Sequence, residues 1–186
     1  MQVIDWIDFY EKGLPSIKKT AMTIGIFDGV HRGHQSLIRR IVSYNVTHTP
    51  VIITFRENHK STEAAGNIQT FKQKLEIFEQ LGVKITIVID FTESFKKMRG
   101  LEFLEILSGR ANIGFFTVGK SFRCGYQLDT DAAAIAEYFA SRGVQAEIAE
   151  EVTEGGAPVS SSRIRAAIAD GNLKLAKKML GRELEE

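Results

Sequence analysis

The chain has no excess of charge of either sign: 24 lysines and arginines stand against 23 aspartates and glutamates, for a formal net charge of +1. That balance excludes a protein drawn as a whole to nucleic acid or to an anionic membrane, so any anion binding has to be local. Cysteine is almost missing. Cys124 stands alone, which rules out an intrachain disulfide and, with no secretory h-region, makes the cytoplasm the expected compartment. No apolar run has the length that spans a bilayer, and no internal repeat or low-complexity tract interrupts the sequence. What the chain has in quantity is apolar side chain. Of its 186 residues, 44% are hydrophobic and 25% charged, enough for one core without staples, and the expectation is a single domain over residues 1–186.

Runs rich in β-branched and aromatic residues at 22–27, 51–55, 85–89 and 115–118 predict buried strands. Between them Leu37, Ile38, Ile41 and Val42 keep helical spacing, as do Phe71, Leu75, Phe78 and Leu81, and then Phe103, Leu104 and Leu107. A helix over 131–141, capped by Asp129 or Thr130, and a strand over 144–148 continue the series. Strands that alternate with crossover helices pair in parallel, so the prediction is a doubly wound open α/β sheet. Ligands of such sheets lie outside the carboxyl ends of the strands. The loops that begin near Phe27, Phe55, Phe91 and Val118 are therefore the places to search, together with the polar tail from 154 to 181. Residues 154–158, EGGAP, read as a flexible turn inside the domain.

Three stretches carry candidate chemistry. In the first, His31-Arg32-Gly33-His34, Gly33 lies where a helix would begin and lets an anion approach the free N–H groups of the first turn. His34 projects from that turn, and with His31 it offers two imidazole donors to one phosphate chain. A bare H-x-x-H is more often a loop without chemistry, and zinc would need further ligands that the sequence does not group nearby. Asp28 follows the strand directly and either caps the turn or orients an imidazole. In the second stretch, Ser160, Ser161 and Ser162 precede a helix containing Ile164, Ala167 and Ile168. Capping accounts for one hydroxyl; three hydroxyls with Arg163 and Arg165 make a second anion pocket. The two arginines are two apart and cannot share a helix face, so one of them reaches the site. Two such clusters suit one polyphosphate. In the third stretch Gly119 allows close approach to a flat base, while Lys120 and Arg123 are either phosphate-facing cations or solvated surface. Cys124, with no neighbour to lower its pKa, reads as an apolar filler.

Residues 25–34, GIFDGVHRGH, followed by Val118-Gly119 and by Ser160-Ser161-Ser162-Arg163-Ile164-Arg165, resemble the FMN adenylyltransferase module of bacterial FAD synthetases, in the HxGH nucleotidylyltransferase superfamily. The likeness runs from about Met22 to Leu184. It implies a Rossmann-like sheet of nucleotidylyltransferase type that makes FAD and pyrophosphate from FMN and ATP, with Mg²⁺ on the phosphates. By resemblance His31 and His34 hold the ATP phosphates and stabilise charge at the α-phosphorus, and Arg165, rather than Arg163, binds the β- and γ-phosphates beside Ser161 and Ser162. Gly25, Phe27, Asp28, Gly33, Gly119, Ser121, Phe122 and Ser160 complete the implied nucleotide and flavin site. No metal ligand of the chain itself, no nucleic acid and no obligate protein partner is implied.

The sequence also departs from the family pattern. Thr-Phe-x-Pro-His-Pro becomes Thr54-Phe55-Arg56-Glu57-Asn58-His59-Lys60, Ser121 stands where Asp or Asn is usual, Phe-x-Phe-Gly becomes Phe122-Arg123-Cys124-Gly125, and Pro158 replaces an arginine. These changes bear on flavin binding and turnover more than on nucleotide binding. Candidates to stack the flavin ring are Phe55, Phe122 and Tyr126. With no length left for a riboflavin kinase barrel, the expectation is a monofunctional adenylyltransferase. Two rivals stand beside it: the same fold serving another phosphorylated acceptor, and a diverged copy that binds nucleotide or flavin without turnover.

Overall fold

Alternating apolar side chains on adjacent extended segments give this chain a sheet with two buried faces, seen in a computed structural model that describes residues 1–15, 18–56 and 68–184. In chain order the elements are β1 (Gln2–Asp5), α1 (Trp6–Lys12), β2 (Lys19–Ile24), a 3-10 turn (Asp28–Val30), α2 (Arg32–Val42), β3 (His48–Phe55), α3 (Phe71–Gln80), β4 (Ile85–Ile89), α4 (Glu93–Lys96), α5 (Gly100–Arg110), β5 (Ile113–Gly119), β6 (Arg123–Cys124), a second 3-10 turn (Tyr126–Leu128), β7 (Thr130–Asp131), α6 (Ala132–Ala140), β8 (Gln145–Ala149), β9 (Thr153–Glu154), β10 (Ala157–Pro158), α7 (Ser161–Ala169) and α8 (Leu173–Leu180). Six strands form one parallel sheet in the order β1-β4-β3-β2-β5-β8. The chain winds outward from β2 through β3 to β4, then returns to β5 on the other side of β2. The order therefore reverses between β2 and β5, and the crevice above their carboxyl ends is the topological switch point where ligands of open α/β sheets bind.

Met22, Ile24, Ile53, Ile87, Phe116 and Val118 bury one face of the sheet against α1, α5 and α6. Ala21, Ile52 and Phe115 face the other way, toward Leu37, Ile38 and Ile41 of α2 and Ile77 and Phe78 of α3. Each such aliphatic side chain contributes about 1.5–3 kcal/mol of burial, so α2 is held by its apolar stripe and its N-terminal turn is free to serve the site. A third cluster joins α7 to α8 through Val159, Ile164, Ala176 and Met179.

The predicted doubly wound α/β sheet is the observed one, with instructive differences at its edges. The first predicted strand stops at Ile24 instead of Phe27, because Phe27 adopts a left-handed conformation (φ 54°, ψ 34°) and its ring fills the space a Cβ on Gly25 would occupy, 3.2 Å away. The cap of α6 is neither Asp129 nor Thr130. Asp131 accepts the N–H of Ala134 at 3.0 Å, while Asp129 accepts the N–H of Gly100 at 3.0 Å, so the nearest carboxylate to the helix start wins the cap. Residues 154–158 are an ordered hairpin. β9 and β10 pair antiparallel around Gly155 (φ 62°) and Gly156 (φ 78°), the double left-handed turn that two-residue hairpins favour. β1, with only four residues, gave no periodic signal; it adds to the sheet alongside β4, Gln2 opposite Ile85.

Candidate functional site

The switch point opens into a cleft of about 540 Å³, and its wall brings together Gly25, Phe27, Asp28, His31, Gly33, His34, Gly119, Ser121, Phe122, Ser160, Ser161, Ser162 and Arg165, all expected in the site. Tyr126 does not line it and is largely solvent-facing. The loop residues Glu57, Asn58, His59 and Lys60 lie outside the described residues.

The two histidines are built as a unit. His31 caps α2, its Nδ1 accepting the backbone N–H of His34 at 3.3 Å, and the two imidazoles stack with centroids 3.6 Å apart. A ring nitrogen that accepts a hydrogen bond carries no proton, so neutral His31 holds its proton on Nε2 and can act there as a donor. Burial pushes the His31 pKa down to about 4, and the charge of Arg182 adds to that. His34 lies well below the ordinary histidine value, again first through burial, then through His31 and Lys74. Both rings are therefore neutral donors at pH 7 rather than cations. Gly33 has a second reason to be glycine: a Cβ there would lie 3.2 Å from the His31 ring, so its absence lets the ring lie over the first turn.

Positive charge comes from Arg165. Its guanidinium pairs with the buried carboxylate of Asp28, whose other oxygen accepts the N–H of Ile68 at 3.1 Å. Asp28 is not the cap of its 3-10 turn; Phe27 stands at that position. Among the serines, Ser160 caps α7 by accepting the N–H of Arg163 at 3.3 Å, and Ser161 Oγ donates to the Asp28 carbonyl at 2.8 Å. Ser162 stays exposed at the rim, beside the first-turn N–H groups that an α-helix leaves without intrahelical partners. Arg163 turns to the β9–β10 hairpin. It donates to the carbonyls of Ala157 at 2.7 Å, Pro158 at 2.5 Å and Glu154 at 3.1 Å, and so holds the β9–β10 hairpin in shape.

On the β5 side, Gly119 leaves open space: a Cβ there would meet only Leu37 Cδ1, at 3.9 Å. Lys120 and Arg123 both line the cleft, and Arg123 also approaches Asp131 at 3.6 Å. Farther out the wall becomes apolar, with Phe55 stacked on Phe91 at 4.6 Å and with Phe95, Met98, Phe103 and Phe122 around them. Cys124 belongs to this wall, and burial raises its thiol pKa to about 12, which removes it as a nucleophile.

Three residues that sequence reasoning passed over support the turn that leads into α2. Gln35 Nε2 bridges the carbonyls of Val30 (3.0 Å) and Leu180 (2.8 Å). Arg182 donates to the Gly29 carbonyl at 2.7 Å and to Gln69 at 2.7 Å. Lys74 Nζ lies under the turn, as described below. The sequence did contain a signal for Lys74, since it occupies the Phe71, Leu75, Phe78 stripe of α3, where a lysine breaks the apolar pattern. Arg182 carries no comparable signal.

A parallel α/β sheet with a cleft at its switch point defines a Rossmann-like α/β protein. The model of the FAD synthetase family matches residues 14–163, and the chain belongs to that family. It is 28% identical over 167 residues to the bifunctional riboflavin kinase/FMN adenylyltransferase of Escherichia coli K12, covering 86% of this chain and 53% of that protein. It is 28% identical over 171 residues to the Bacillus subtilis protein of the same name, covering 88% and 54%. The chain thus spans about half the length of these curated relatives. Among solved structures, one described as a macrolide-efflux protein from Streptococcus pneumoniae superposes with a TM-score of 0.83 at 25% identity, covering 99% of this chain and 72% of that one. Among the described residues no helix is long and apolar enough to cross a membrane.

Proposed function

We propose that this chain is an FMN adenylyltransferase of the cytoplasm: it transfers AMP from MgATP to the phosphate of FMN, giving FAD and pyrophosphate. The observation that carries the reading is the pairing, in one cleft, of a neutral two-histidine donor set with Arg165 at one end and an aromatic wall at the other. A polyphosphate needs the first and a flat ring needs the second. Mg²⁺ enters as part of the MgATP substrate; among the described residues no group of three or more His, Cys, Asp or Glu is arranged to hold it separately.

In this mechanism an FMN phosphate oxygen attacks the α-phosphorus in line, the new P–O bond forms as the bond to the β-phosphate oxygen breaks, and pyrophosphate leaves with that electron pair. No base is required, because the attacking phosphate is already ionised. His31 Nε2–H and His34 are donors to oxygens that gain charge in the transition state, and one well-placed donor of this kind contributes about 3 kcal/mol. Arg165 binds the departing β- and γ-phosphates with the N–H groups not engaged by Asp28, aided by the first turn of α7 and by Ser162. Gly119 leaves the floor flat for adenine, with Gly25 and Ser121 on the same wall, and Phe55 and Phe122 offer the flavin ring its faces.

The test is direct. The purified chain incubated with MgATP and FMN should release FAD and pyrophosphate in equal amounts, and His34→Ala should abolish both. Turnover with a different phosphorylated acceptor and none with FMN, or tight nucleotide binding without turnover, would overturn the reading.

A further inference from the structure

Lys74, on the inner face of α3, is 6% exposed. Its ammonium has three N–H donors and three acceptors within reach: the carbonyls of Ile26 (3.1 Å) and Phe55 (2.8 Å) and the hydroxyl of Thr54 (3.3 Å). Ile26 follows β2 and Phe55 ends β3, so one side chain ties together the carboxyl ends of two neighbouring strands. The residue directly after Ile26 is Phe27, in its left-handed conformation, and Asp28 comes next. Thr54 Oγ1 also donates to the Ile26 carbonyl, at 3.2 Å, which makes the link at that oxygen double.

A buried charge is not what the fold needs at this position. An apolar side chain on the Phe71, Leu75, Phe78 stripe would continue the core at no desolvation cost, and replacing buried ionic groups with apolar ones is often neutral or stabilising. What an apolar side chain cannot supply is a set of three donors aimed at two backbone carbonyls and a hydroxyl.

We propose that Lys74 is a positioning residue of the site, whose ammonium fixes the turn after β2 and thereby sets where Asp28, Arg165 and the paired histidines face the cleft. Burial lowers its pKa to about 8, partly offset by the charge of Asp28, so the ammonium form that makes all three bonds prevails at pH 7. Its charge also reaches the histidine pair, where it helps keep His34 neutral. The kinetic half of this inference rests on the FMN adenylyltransferase reading; the structural half does not.

Two variants of the full chain test it, Lys74→Met, which removes all three donors, and Lys74→Gln, which keeps polar donors in the pocket should the first fold poorly. Lys72→Met, on the exposed face of the same helix, is the control. Hydrogen–deuterium exchange should rise in residues 25–31 while β3, β4 and α2 keep the parental rates, a local pattern that general loss of stability would not give. In steady-state assays kcat should fall roughly tenfold to a hundredfold, the usual effect of a small misplacement of reacting groups, with KM for MgATP within about threefold. Exchange at 25–31 that stays at the parental rate, or rises equally across the sheet, would overturn the inference, as would a parental kcat. If the parent itself makes no FAD, the functional reading falls, while the exchange result still decides the role of Lys74.

Discussion

The proposed mechanism gives the two nitrogens of His31 two tasks, and one substitution can separate them. His31→Asn keeps a short side-chain oxygen able to accept the His34 N–H and so to cap α2, since Asn is among the best N-cap residues, but its amide cannot reach where Nε2–H points. His31→Ala removes both. The cap is worth about 1 kcal/mol and the transition-state donor about 2.7–4 kcal/mol, which is a factor of roughly 10² to 10³ in kcat. Both variants should therefore lose the same rate, while only the alanine variant loses stability. The assays are FAD formation at saturating MgATP and FMN, and urea unfolding at pH 7. If His31→Asn keeps kcat within about threefold of the parent, His31 is a cap and nothing more. An alanine variant that unfolds at the parental urea midpoint would instead remove the capping argument.

Further outcomes follow from the same geometry. His31 is neutral when folded, with a pKa of about 4 against 6.5 ordinarily. The unfolded chain thus takes up the proton first as pH falls; the stability linked to His31 is intact above pH 6.5 and is lost on the way down to about 4, by roughly 3 kcal/mol. Urea midpoints should drop across that window, and less steeply in His31→Asn. Arg165→Met should raise KM for MgATP and lower kcat, whereas Arg163→Met, which strips donors from the β9–β10 carbonyls, should lower the free energy of unfolding by about 1–2 kcal/mol and leave KM for MgATP within about twofold. Gly119→Ala meets no close protein atom, so it should keep the parental melting temperature and weaken MgATP binding. Unchanged binding there would mean that the base lies elsewhere.

The sheet was legible because its signal is repeated: 85–89 is read to the residue, and the apolar positions of α2 are those that meet the core. Boundaries failed where a single backbone conformation decided them, as at Phe27, whose left-handed turn no propensity for phenylalanine announces. The histidines and Arg165 were legible as a pattern. Their partners were not. That the Ser161 hydroxyl is taken by the Asp28 carbonyl depends on a contact more than a hundred residues apart, and so does the bond from Arg182 to Gly29. Local sequence reports what a residue can do; it does not report which neighbour claims it first.

Those distant bonds have a consequence for the order of events during synthesis. The turn at residues 28–31 leaves the ribosome early, yet its carbonyls are held by Gln35 and Arg182, Gln35 itself bridges to Leu180, and Arg32 pairs with Glu154 at 2.6 Å. The sheet can collapse once β8 has been made, since its packing needs nothing beyond that strand. The turn cannot. A nascent chain in which α8 and Arg182 have not yet emerged would hold a folded sheet and an unfinished turn, so the turn that carries the paired histidines is completed only after the sheet is in place.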